Sequence, residues 1–88
     1  MSKFVFVVTL KATDDNENFR GESRVYAYGK STSYEPKNEE ELNWFVKTYG
    51  YNRKCDAVRC MNWHKNNLEE KYWNKEYKLV EVVLWLDI

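Results

Sequence analysis

The chain has 88 residues, with 14 Lys and Arg against 14 Asp and Glu, a formal net charge of zero, and 17% aromatic residues. That length predicts one domain with a small core and little room for a deep catalytic pocket. The neutral balance argues against strong non-specific nucleic-acid binding, and two Cys with one His make no disulfide framework.

Phe4 to Leu10 reads as a first strand. Phe4, Phe6, Val8 and Leu10 share one face and Val5 and Val7 the other, because side chains alternate along a strand. A strand apolar on both sides belongs in the middle of a sheet. The stretch Thr13-Asp14-Asp15-Asn16-Glu17-Asn18 is a polar loop, and Phe19 within it is expected to fold back onto the sheet. Glu22 to Lys30 alternates as a half-buried second strand, pairing with the first as an antiparallel hairpin. Ser31 to Lys37 reads as a linker.

A helix follows. Asn38 is its N-cap, Glu41 three residues later completes a box-like arrangement, and the first-turn glutamates suit the helix dipole. Leu42, Phe45, Val46 and Tyr49 fall at i, i+3, i+4 and i+7 and make the inward stripe; Gly50 is a stop, and Trp44 lies off the stripe. The spacing Ala57, Met61, His64, Leu68, Tyr72 predicts a second helix from about Arg53 to Tyr72, with a weak point at Asn66-Asn67. Asn74-Lys75-Glu76 reads as a turn. Tyr77 to Ile88, rich in Val and Leu and free of Gly and Pro, is the last strand, beside the first.

The order β-β-α-α-β predicts an α+β, two-layer sandwich: a three-stranded antiparallel or mixed sheet with two helices on one face. The other sheet face would then expose Leu79, Val83 and Trp85 beside Val5 and Val7, an apolar patch that predicts a homodimer packed sheet to sheet. No run approaches the roughly 18 apolar residues that span a bilayer. No sequon occurs, and the apolar start has no small-residue cleavage site after it, so a soluble cytoplasmic protein with reduced thiols is expected.

Chemistry-bearing constellations are few. Cys60 and His64, at i and i+4, share a helix face that zinc could bridge. Cys55 lies about 140° away around the helix, so no metal site converges, and Cys60 reads as a small filler. No orienting third group or oxyanion loop supports a Cys-His nucleophile, and the three scattered glycines build no phosphate cradle. Neither a cofactor nor a catalytic activity is expected.

Two charged surfaces are left. Glu39, Glu40 and Glu41, with Trp44 beside them, would offer carboxylates to a basic partner, as phosphate mimics do. Tyr51, Arg53, Lys54, Arg59, Trp63 and Lys65 interleave cations with stacking faces, the composition of a small RNA- or DNA-binding module. Small size, missing catalytic motifs and excess aromatics favour a non-enzymatic protein-binding module. In style the chain resembles phage and mobile-element proteins, among them anti-CRISPR-like inhibitors of host defence enzymes that act by protein contact. No residue motif carries that likeness.

Overall fold

The computed structural model describes residues 1–67 and 73–84. Among these residues the fold is α+β: a four-stranded antiparallel sheet and two α-helices, with a 3-10 turn at Glu17–Phe19. The strands are β1 (Ser2–Ala12), β2 (Ser23–Gly29), β3 (Thr32–Tyr34) and β4 (Trp73–Val83), in spatial order β3-β2-β1-β4. Helix α1 spans Glu39–Tyr49 and α2 spans Lys54–Asn67. As expected, the first strand is central and the last lies beside it, running antiparallel to it.

Register assigns the faces. Val5 stands opposite Val80, and Val7 opposite Ala27. These four residues meet Phe45 and Val46 of α1, and together they form the core. Phe6 stands between Tyr28 and Leu79, and Val8 between Tyr26 and Tyr77. This opposite face meets α2: the His64 ring lies 4.8 Å from Tyr28 and 5.7 Å from Phe6. Phe19 does fold back, its ring 5.5 Å from Trp73 with the Arg24 guanidinium 5.1 Å above it.

Three expectations are corrected. First, the helices lie on opposite faces, not on one. Period-two alternation shows that both faces of β1 need cover but not which helix supplies it. The chain changes face at the end of the sheet. There β2 has turned away, and Tyr51 pairs with Phe4 in its place through two backbone hydrogen bonds of 2.7 and 2.9 Å. The face expected to be bare therefore carries α2 over Phe6, Tyr28 and Tyr77. Leu79 belongs to that face, whereas Val5 and Val7 belong to the other. Val83 stays exposed, and Trp85 lies outside the described residues.

Second, residues 32–34 of the expected linker form β3. The turn before it, Lys30-Ser31, lacks the Asn-Gly or Asp-Gly signature of a tight hairpin, and Ser31 itself takes the left-handed conformation at φ 54°. Third, Asn74-Lys75-Glu76 is strand, not turn. On an edge strand such as β4, polar side chains are the normal way to leave an edge in water. Of the expected second helix, Leu68 and Tyr72 lie outside the described residues. Among the described residues no helix is long and apolar enough to cross a membrane.

Candidate functional site

Helix α1 begins as its sequence dictates. The Asn38 side chain accepts a hydrogen bond from the Glu41 N–H at 2.9 Å. Glu41 does not complete a standard box: its carboxylate instead accepts from the Lys37 N–H and from the Tyr34 hydroxyl, each at 3.0 Å. The Lys37 N–H, and then the Tyr34 hydroxyl, hold the Glu41 carboxyl below the usual carboxylate range. The same bond raises the Tyr34 phenol. Glu41 thus ties β3 to α1 and is not a third outward acid.

Phe45 and Val46 turn inward and are buried. The outward face carries Glu39, Glu40, Asn43, Trp44 and Lys47. Trp44 is 51% exposed, yet it is not loose. Tyr34 meets it edge-on at 5.7 Å and Tyr49 at 6.0 Å. Two open hollows flank it. One, of about 520 Å³, is lined by Tyr34, Asn38, Glu40, Glu41 and Trp44. The other, of about 460 Å³, is lined by Glu39, Glu40, Asn43, Trp44 and Lys47. Among the described residues, no hydrogen bond or ion pair engages the Glu39 or Glu40 carboxylates. The structure thus gathers Glu39, Glu40 and Trp44 into one surface: a braced indole with two unpaired acids at its foot. Sequence reasoning missed Tyr34, because its strand was taken for linker, and Tyr49, because it was assigned wholly to the inward stripe although it is 40% exposed.

The basic stretch is divided. Arg53 and Arg59 converge on Asp56, at 3.2 and 3.9 Å, and Arg53 above all holds that carboxyl below its ordinary range. Lys54 is exposed. The Lys65 ammonium lies 5.2 Å over the Tyr77 ring. Tyr51 and Trp63 line a hollow beside Cys60 and His64.

Cys60 and His64 look to different partners. The Tyr51 hydroxyl donates to the Gly29 carbonyl at 3.2 Å and lies 3.2 Å from Cys60 Sγ; burial, then the thiol, pushes its phenol up to about 12. His64 Nδ1 meets the Tyr77 hydroxyl at 2.9 Å. Cys55 is exposed, and both thiols are free. Among the described residues, no three His, Cys, Asp or Glu side chains gather into a metal-binding group.

Burial, and then Lys75, holds the His64 imidazole below its ordinary value. Tyr28, Tyr77 and Lys65 surround the same space. A histidine whose pKa is depressed by folding takes up its proton more readily in the unfolded chain. Stability is therefore expected to be full above the unfolded value of about 6.5 and to fall as pH drops through the folded value. Denaturant midpoints at pH 7.5 and 5.0 check this: the acid-side loss should be smaller in His64→Phe, which keeps a ring but cannot titrate. An equal loss in both proteins would assign it to other groups.

Comparison with known proteins gives no match: no family model fits the chain, and no curated protein or solved structure was found similar to it.

Proposed function

We propose that this chain is a non-enzymatic protein-binding module whose outer α1 face docks on a basic surface of another protein. The observation that carries the reading is Trp44: it is half exposed, held by Tyr34 and Tyr49, and bounded by Glu39 and Glu40, acids that are unpaired among the described residues. A rigid indole is an effective interface anchor, because it brings large contact area at small entropic cost. Acids beside it steer the approach of Lys- and Arg-rich surfaces and oppose acidic ones. A groove that binds nucleic-acid phosphates is such a surface. The partner class that fits is therefore a nucleic-acid enzyme, and inhibition of a host defence enzyme by a phage or mobile-element protein is the role we assign to it.

The test is capture from nuclease-treated host lysate by the wild type, by Trp44→Ala and by Glu39→Lys with Glu40→Lys. A partner held by the wild type should be lost by the charge-reversed protein. Trp44→Ala should weaken it by about 2 kcal/mol or more, the scale of an aromatic hot spot. Equal capture by all three proteins would remove α1 from the interface. A parallel capture from untreated lysate that is equal for all three proteins and disappears on nuclease treatment would favour a nucleic-acid-bridged association.

A further inference from the structure

A second site stands on the opposite side of the sheet and does not depend on the α1 surface. A hollow of about 300 Å³ lies between α2 and the β2–β3 turn. Phe6 and Tyr28 are stacked there, centroids 5.0 Å apart and planes within 7°. His64, Trp63, Tyr51 and Cys60 complete its walls. Its volume is at the lower end of the roughly 300–1,000 Å³ usual for small-ligand sites, which suits one ring system and excludes a duplex.

Three features of this hollow match the face of a base, the polar edge of that base and the phosphate beside it. Its walls are aromatic, and Trp63 is 60% exposed, so its ring can close over a planar ligand. Its rim carries the hydroxyls of Ser31 and Ser33, which among the described residues bond no other side chain. Ser31 holds its place in a left-handed conformation, which a residue other than glycine adopts at a cost and which is enriched where a loop meets a ligand. Lys30 and Arg59 adjoin the lining residues Gly29, Ser31 and Cys60 in the chain, and with Arg53 they all act on the Asp56 carboxylate. One carboxylate cannot neutralise three cations, so among the described residues this cluster carries a net positive charge.

We propose that this hollow binds the unstacked base of a nucleotide, with the ring against Trp63 and Tyr28, its polar edge toward the Ser31 and Ser33 hydroxyls, and its phosphate toward Arg59 and Lys30. A stacked, unpaired base is the form of nucleic acid that aromatic side chains recognise, and cations beside the stack hold the backbone. The base belongs either to a free nucleotide or to a single strand, and the experiment separates the two.

The full chain is titrated with AMP, with UMP, with single-stranded RNA hexamers of A and of U, and with a duplex RNA, by calorimetry at low and moderate salt. Saturable binding of a mononucleotide or of a hexamer is expected, with the duplex weaker. Binding of mononucleotides as tight as that of hexamers assigns a free nucleotide; binding of hexamers alone assigns a strand. Trp63→Ala alters an exposed side chain and is expected to fold, which circular dichroism verifies. It should lower affinity about tenfold, the scale of one lost base stack. Arg59→Gln should weaken binding less and flatten its salt dependence. Trp44→Ala, on the far face, should leave affinity unchanged. The proposal is overturned if no probe binds saturably at millimolar concentration, if the duplex binds best, or if Trp63→Ala binds like the wild type.

Discussion

Phe45→Ala is expected to cost about 3–5 kcal/mol, the usual range for emptying a buried aromatic site. Among the described residues Phe45 is the largest fully buried side chain. It stacks on Tyr34 at 5.7 Å and meets Tyr49 at 5.4 Å, so its loss removes core volume and also loosens both residues that brace Trp44. A chain of this length has roughly 4–13 kcal/mol of stability to lose, at about 0.05–0.15 kcal/mol per residue. Urea denaturation should show a large fall in midpoint, or no cooperative transition at all. Phe45→Leu, which keeps most of the volume, should lose much less. A loss for Phe45→Ala below about 1 kcal/mol would mean that the core is not closed around α1 as described.

Gly29→Ala and Gly50→Ala are expected to be the next most damaging, at about 1–3 kcal/mol each. Both act where the chain changes from one face of the sheet to the other. A Cβ at Gly29 would lie 2.5 Å from the Tyr49 carbonyl oxygen, the atom that accepts from the Lys30 N–H at 2.7 Å. A Cβ at Gly50 would collide with the Val46 carbonyl oxygen and stand 2.9 Å from the Lys3 Cβ. In each case backbone would have to move, and the bridge between Tyr51 and Phe4 would move with it. Elsewhere a Gly→Ala change on a compatible backbone stabilises by about 0.4–1 kcal/mol through the unfolded chain, so the sign of the effect is itself informative. Thermal denaturation of the two variants, beside exposed Lys47→Ala as a control, measures it. Neutral or stabilised variants would show that the end of α1 does not closely approach β2 at Gly29 or β1 at Gly50.

The consequence for function is that both proposed sites hang on one junction. Tyr49 closes α1 and supports Trp44, whereas Tyr51, two residues later, lines the pocket beneath α2. A defect at Gly50 should therefore weaken binding on both faces, while Trp44→Ala and Trp63→Ala each affect only their own.

Much of the local structure was legible because it depends on near neighbours in the sequence. The cap at Asn38, the first-turn acids and the stop at Gly50 specify α1 from end to end, since capping is a contest among groups within one helical turn. The doubly apolar alternation of Phe4 to Leu10 identified a central strand, and the Val-rich run from Leu79 identified its neighbour. The divergence of Cys55 from Cys60 and His64 follows from helix geometry alone.

What only the tertiary structure decided involves partners far apart in the chain. β3 is three residues long, and its identity comes from pairing with β2 rather than from any preference of its own. Glu41 looked like an outward acid until Tyr34 and the Lys37 N–H came within reach. The side on which each helix lies was hidden because a two-residue period names the faces of a strand without naming what covers them. That choice was made by one backbone bridge, between Phe4 and Tyr51, and by two glycines small enough to let the chain pass. It places Trp44 and Trp63 on opposite sides of one sheet, and so gives a chain of 88 residues two separate surfaces.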